Sequence, residues 1–454
     1  MSEKNITRRR FVGTAAAAAG CCLATSQTGT RGKAAEKATA AEVPAPNSPI
    51  GVAKGLHPGR VAWVHDPAAT NWGGPGDGHW WEGSHTDQSV VDKMVARAIC
   101  GVTGESDAAG WDGLFKHFNR TRGKEAVGYK PGQKIAIKVN FVGLIWRWDT
   151  VNPDSYDLKD RRDYMNTAPQ MMRALLRQLV ETVGVKPSDI SIGDSLAIFS
   201  NEYYGMLHGE YPDVRYVDQK GLFGRVAVKP SSVPIHWSCR PQGCLQDFIP
   251  DCFEEADYLI NLANLKSHTA TGVTLCGKNH YGSLVRWPAQ KGYYDLHKDS
   301  FAAGMGKYRN LVDLTGHSHI GGKTLLCLID GLYAGRHPID RAPMKWNSTP
   351  FNGDWTSSLL ASQDPVAIDS VAYDFLRTEW EDHPRKSGAE DYLHEAAQAD
   401  DPPSGTFYDP EHPNSITRLA SLGVHEHWND PMEKKYSRNL GTGEGIELVS
   451  MGRT

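Results

Sequence analysis

Tyr258-Leu259-Ile260-Asn261-Leu262 and Leu325-Leu326-Cys327-Leu328-Ile329 decide the fold class. A strand with one face in water alternates apolar and polar residues, and neither run does. Both read as central strands covered on two sides, as in a parallel sheet flanked by helices. Outward from them, shorter β-branched runs at residues 60–64, 134–139, 190–192, 214–217 and 226–228 alternate with stretches of helical periodicity. From Thr86, read as an N-cap, Val90, Val91, Met94, Val95, Ala98 and Ile99 recur at helical spacing. A second helix is expected over residues 111–118. Thr167 is expected to cap a third, with Pro169 in its first turn, an apolar stripe from Met171 to Val183 and Gly184 as its stop. A further helix begins at Pro365. This is the βα alternation of an α/β fold: an open, mostly parallel sheet flanked by helices, with long Trp- and Gly-rich loops and an irregular C-terminal tail. The expected organisation is an N-terminal signal and linker over 1–49, an α/β domain over 50–380, and an extension over 381–454 packed on that same domain.

The composition narrows the partners. Of 454 residues, 40% are hydrophobic and 22% charged, so the chain can bury a core and is not globally disordered. Lys plus Arg number 49 against 53 Asp plus Glu, a formal charge of -4. That balance supplies no basic field for nucleic acid or an anionic membrane. No apolar run reaches the length of a membrane-spanning helix, so no transmembrane segment is expected.

The first fifty residues read as an address. Thr7-Arg8-Arg9-Arg10-Phe11-Val12 resembles a twin-arginine export signal, followed by a short Ala-rich stretch through Ala24 and a Ser-, Thr-, Ala- and Pro-rich linker. The expected partner is the twin-arginine export machinery, and the expected location periplasmic or extracellular. Two processing outcomes stay open: cleavage among the small residues between Ala34 and Ala41, or lipid attachment at Cys21 within the lipobox-like Ala18-Ala19-Gly20-Cys21, giving a membrane-anchored lipoprotein.

In an open parallel sheet, ligands sit at the carboxyl ends of the strands. Those ends are here unusually polar. Residues 60–64 run into His65-Asp66, the next strand ends in Lys138-Val139-Asn140, and the next in Gly193-Asp194-Ser195. The strand from Tyr258 continues through Asn261 and Asn264-Leu265-Lys266-Ser267-His268, and the one from Leu325 ends in Asp330-Gly331. Asp and Asn favour turns for local reasons, yet together these ends outline a polar cleft. The segment 261–282 adds Lys278, Asn279 and His280 among Gly272, Gly277 and Gly282. Glycines admit a close ligand, and Lys and His supply charge and proton transfer. Lys266, His268 and Lys278 are the expected acid/base or anion-binding groups. Lys138, Asn140, Asn261, Asn264, Asn279 and Gly282 are the expected substrate-binding residues, and Asp194 and Asp330 the expected ligands of a divalent metal. Asp364-Pro365 reads as an N-cap followed by Pro at the first helical position; Asp369, one turn on, is left open between structure and site.

The block 261–282, with residues 190–195 and 135–140, Asp330-Gly331 and Leu360-Ala361-Ser362-Gln363-Asp364-Pro365-Val366-Ala367-Ile368-Asp369, resembles the signature of the family called domain of unknown function 362, across most of residues 60–377. The tail, with Ser421-Leu422-Gly423-Val424-His425-Glu426-His427-Trp428, resembles that of the family's twin-arginine-exported branch. The resemblance implies no settled reaction. Some members carry iron–sulfur modules, but the C-x2-C-x2-C run is absent here. The pair His268 and Lys278 is also similar to the His and Lys that hold the nickel-pincer cofactor of lactate racemases.

Three further features invite a function. Trp72, Trp80, Trp81, Trp146 and Trp148 lie in polar loops beside His79, Glu82, His85, Arg147 and Asp149, the look of a sugar-binding cleft; the alternative is that the rings pin long loops to the domain. His317-Ser318-His319 and His425-Glu426-His427 each place two imidazoles two residues apart, which on a strand would share a face toward a metal; neither stands in a recognised metal motif, and the alternative is ordinary surface histidines. Among eight Cys, the trio Cys239, Cys244 and Cys252 lacks zinc-ribbon spacing and reads as a disulfide or inert thiols. The chain is thus expected to be an enzyme acting on a small polar metabolite or glycan fragment, metal-assisted through Asp194 and Asp330. The alternatives are a non-catalytic periplasmic binding protein using the same cleft, or a redox or cofactor-carrying protein.

Overall fold

A computed structural model describes residues 47–452, apart from 146–148, 160–162, 240–244, 287–291, 295, 298–304, 338–339 and 341. The export signal, Cys21, Trp146, Arg147, Trp148 and Cys244 lie outside the described residues. The central sheet contains β1 (Arg60–His65), β2 (Ile135–Lys138), β3 (Ile190–Gly193), β4 (Arg215–Asp218), β5 (Val226–Ala227), β6 (Tyr258–His268), β7 (Gly272–Thr274), β8 (Thr324–Gly335), β9 (Ser358–Ser362) and β10 (Glu447–Met451). Their spatial order is β10-β1-β9-β8-β6-β2-β3-β4-β5, with β7 folded back antiparallel onto β6. All pairings along the path are parallel except those of β9, which runs against β8 and β1.

The apolar runs behave as their composition demands. Along β6, Leu259, Ala263 and Leu265 enter one core, and Ile260 and Leu262 enter the other, all at 2% exposure or less. On the second side lie α1 (Gln88–Thr103), α2 (Asp107–Thr121), α3 (Pro169–Arg177) and α4 (Asn201–His208); after the short α5 (Asp251–Glu255) and α6 (Cys276–Asn279), the first side is covered by α7 (Arg309–Gly316), α8 (Pro365–Glu379) and α9 (Asp391–Ala397). No helix among the described residues is long and apolar enough to cross a membrane.

Local capping differs from expectation in detail. Asp87, not Thr86, caps α1 by accepting the Val90 N–H at 3.1 Å. Ala168, not Thr167, precedes α3; the Thr167 hydroxyl instead accepts the Asn140 N–H at 2.8 Å, tying this helix start to the end of β2. The tail does more than cover the domain. Its β10 pairs in parallel with β1 at the sheet edge, and α9 packs beside α8.

Asp364 integrates these parts. Its Oδ1 accepts the N–H groups of Val366 and Ala367 at 3.0 and 2.9 Å, capping α8, while Oδ2 accepts those of Lys54 and Val424 at 2.8 and 3.2 Å. One fully buried carboxylate therefore joins a helix start, the segment before β1 and the C-terminal tail. Removing it leaves four backbone donors, three of them buried, without their acceptor. Asp364→Ala is expected to lower stability by about 3 kcal/mol, above the usual cost of a lost N-cap, with Asp364→Asn losing less, as measured by urea unfolding.

Candidate functional site

The β6–β7 hairpin builds the site. Residues 269–271 turn the chain so that His268 pairs with Gly272 and Lys266 with Thr274. Gly272 has φ +84°, and a Cβ there would lie 2.3 Å from the Ala389 Cβ, so the turn needs glycine. The chain then enters α6, whose first N–H groups are held by Asp369: Cys276 and Gly277 donate to its two oxygens at 2.7 and 2.8 Å, and the Tyr392 hydroxyl adds a third bond at 3.0 Å. Asp369 is thus the clamp that seats α6, and Asp364 a structural cap. Neither lines the cleft.

The cleft at the carboxyl ends of β2, β3 and β6 holds about 60 Å3 of free space, and its walls include Asn140, Asp194, His268, Lys278, Asn279 and Gly282. Six residues singled out from sequence therefore meet on one hollow, from three strands and the α6 region. Lys138 lies just beneath them, 1% exposed, donating to Asp194 Oδ2 at 2.8 Å and to Asn279 Oδ1 at 3.2 Å. A Cβ on Gly282 would sit 2.8 Å from both Asp194 Oδ1 and Lys138 Nζ, so glycine is what lets the chain cross this ion pair. Burial pulls the Lys138 ammonium below the usual lysine range, and the Asp194 charge opposes that pull.

Behind the cleft runs a hydrogen-bonded chain with a single direction. Lys266 Nζ donates to Asn140 Oδ1 at 2.7 Å, Asn140 Nδ2 to Asn279 Oδ1 at 3.0 Å, and Asn279 Nδ2 to Asn261 Oδ1 at 2.7 Å. Asn261 Nδ2 is 2.9 Å from His280 Nε2, and His280 Nδ1 is 3.1 Å from the Ser283 hydroxyl. An amide nitrogen only donates, so His280 Nε2 accepts and its proton resides on Nδ1, facing Ser283. Each link polarises the next, which makes the whole stiffer than its separate bonds. Lys266, 0% exposed, also donates to the Met165 carbonyl at 2.6 Å; burial holds its pKa well below the ordinary lysine value.

His268 is of a different kind. Its Nδ1 accepts the backbone N–H groups of Ala270 and Thr271 at 2.9 and 3.2 Å, so the neutral ring carries its proton on Nε2. Burial, then Lys278, His297, His337 and Lys266, push its pKa well below the ordinary histidine value. At neutral pH this side chain is an uncharged hydrogen-bond donor. Beside it the Lys278 Nζ lies 3.8 Å over the Tyr281 ring, whose hydroxyl is 2.7 Å from His297 Nδ1.

The metal reading gains no ligand set. Asp194 is engaged by Lys138 and by the N–H of Leu196 at 3.0 Å; Asp330 accepts the N–H groups of Ala168 and Leu332 at 2.8 and 3.0 Å and lies outside the cleft wall. Burial raises the Asp330 pKa to about 6. No group of three or more His, Cys, Asp or Glu among the described residues is placed to hold a metal. Asn264, expected to bind substrate, is fully buried, donates to the Asn166 carbonyl at 3.1 Å and does not reach the cleft.

The structure also decides between the remaining alternatives. Trp72, Trp80 and Trp81 are 1%, 1% and 4% exposed, so they offer no sugar platform. Trp72 stacks on Trp355 at 5.3 Å, and Trp81 packs on Tyr203, pinning their loop to the core. His317 is buried against the Pro234 carbonyl; His425 bonds Ser370 at 2.8 Å, and His427 pairs with Asp374 and Glu390 at 2.7 and 3.2 Å. Cys239 and Cys252 are free thiols. Sequence reading missed His297 and His337, whose rings lie 6.1 and 5.7 Å from that of His268. Their distance in sequence from the 261–282 block hid them, and neither stands in a motif.

Burial depresses the His280 pKa to about 3 from 6.5. The unfolded chain takes up this proton below pH 6.5 while the folded protein refuses it until about pH 3. Its contribution to stability is therefore complete above 6.5 and is lost as pH falls toward 3. In His280→Gln the slope of unfolding free energy against pH between 6.5 and 3 is expected to flatten by up to one proton, about 1.4 kcal/mol per pH unit, measured by urea titrations at stepped pH.

No curated protein matches the chain. A family model described as Domain of unknown function (DUF362) matches residues 135–374, from the first residue of β2 into α8, which includes every cleft residue named above. With residues 135–374 making up 240 of 454, more than half the chain is matched, and the protein belongs to the domain of unknown function 362 family.

Proposed function

We propose that this protein is an enzyme acting on a small, polar, anionic metabolite bound at the carboxyl ends of β2, β3 and β6. One observation carries the reading: a neutral histidine that must donate through Nε2 stands beside a lysine on the same cleft, with Asn140 and Asn279 stiffened from behind. An ammonium attracts a carboxylate or phosphate, and a fixed neutral donor stabilises an oxygen that gains charge during reaction. Lys278 binds the anionic group, His268 polarises the reacting oxygen, and Asn140 and Asn279, bonded to each other and to the buried lysines, give the ligand a fixed polar wall. Lys266 and Lys138 act through those amides and Asp194 as positioning residues. The two backbone N–H groups donated to Nδ1 support hydrogen-bond donation by His268 rather than proton abstraction. The burial of Trp72, Trp80 and Trp81 favours a small metabolite over a glycan.

A panel of small carboxylates and phosphates tests this, by thermal shift for binding and by product detection for turnover. Lys278→Met is expected to raise KM, while His268→Ala lowers kcat by about 100-fold with binding largely retained. A ligand that binds with wild-type affinity to both variants sinks the assignment. A ligand that needs both residues yet is never transformed establishes the binding-protein alternative.

We further propose export by the twin-arginine route, supported by Thr7-Arg8-Arg9-Arg10-Phe11 ahead of the short Ala-rich stretch. Replacing Arg8 and Arg9 together by Lys is expected to keep the full-length protein in the cytoplasm on fractionation; unchanged export rejects the signal.

A further inference from the structure

A second cavity lies apart from the cleft. About 520 Å3 in volume, it opens at the other end of the sheet, where β8 begins, β9 ends and α8 starts; Thr324, Gln363 and Pro365 are on its wall. Its floor is Asn261, Cys276, Cys327 and His280, each 3% exposed or less. Asn261 and His280 are already committed, one to Cys276 and Asn279 and the other to Ser283, so the floor has little hydrogen bonding to give. Cys276 and Cys327 are free thiols, soft and weakly polar. The part-exposed lining brings Lys54 and Arg122, and among the described residues no Asp or Glu lies on the wall. Arg122 gives one N–H to the Asp257 carbonyl at 3.0 Å and has further donors on the same fork.

We infer that this cavity is a second binding site, for a small organic acid with an apolar body. The apolar end enters toward the two thiols, and the acid group stays at the rim with Arg122 and Lys54. Chemistry sets the orientation: a carboxylate at the floor would be desolvated against a thiol pair and already bonded amides, whereas at the rim it meets two cations and water. The site is independent of the cleft reading, from which it is separated by Asn261 and His280.

Calorimetric titration of the full chain with octanoate, and with 1-octanol as the uncharged match, tests the inference. Octanoate is expected to bind at one site, with octanol at least about tenfold weaker. Gly322→Leu fills the cavity from its wall; a Cβ there meets nothing closer than the His317 carbonyl oxygen at 3.5 Å, so the fold should accept it. It is expected to weaken octanoate at least about tenfold, and Arg122→Gln, which removes the charge together with the guanidinium lying 5.1 Å over the Phe118 ring, to do so as well while changing octanol less. His268→Ala should leave octanoate binding intact. Octanol binding as tightly as octanoate, undiminished binding in folded Gly322→Leu and Arg122→Gln, loss of binding in His268→Ala, or no saturable octanoate binding would each overturn the assignment.

Discussion

Two lysines buried at the carboxyl ends of adjacent strands set the terms for the rest of the site. An ammonium taken out of water costs several kcal/mol unless something in the protein replaces its hydration. Lys138 is compensated by Asp194 and Asn279, and Lys266 by Asn140 and the Met165 carbonyl. Those partners are themselves buried and must be satisfied in turn, which propagates through Asn279 and Asn261 to His280 and Ser283. The polar ends read along the sequence are therefore one connected object, with side chains that have few alternative arrangements.

That rigidity explains the division between residues that touch the cleft and residues that support it. His268 and Lys278 face the hollow. Lys138 and Lys266 are too deep to meet a ligand and act by holding Asp194 and Asn140 in place. A site built this way suits stabilisation of developing charge, because donors fixed beforehand need not reorganise when the charge appears. The backbone clamps serve the same end: Asp369 seats α6, and the two N–H groups of the hairpin turn fix the tautomer of His268.

Much of the architecture was legible because it follows from short-range patterns. Two mostly apolar, non-alternating runs predicted β6 and β8 at the centre, and the stripe from Val90 to Ile99 predicted α1. The polar strand ends pointed to one end of the sheet, and Asn140, Asp194, His268, Lys278, Asn279 and Gly282 do converge there. Exposure was the harder question. Trp72, Trp80 and Trp81 sit among Gly and charged residues, so local composition left a wet sugar platform open beside the reading that the rings pin their loop, and contacts with Trp355, Tyr203 and Tyr333 from distant segments decide for the second. His297 and His337 entered no expectation, because proximity to His268 exists only after the chain has folded.

Sequence by itself determined the fold class, the end of the sheet where polar groups collect, and membership of the family, since periodicity and motif are local properties of the chain. Tertiary structure alone decided which polar residues are ligands for one another and which remain for a ligand from outside: Asp194 is matched to Lys138, Asp330 to backbone N–H groups, and Asp369 to α6, whereas His268 is left with one donor to offer. The reason is that desolvation and hydrogen-bond satisfaction depend on neighbours in space, and in a parallel sheet those neighbours come from strands many residues apart.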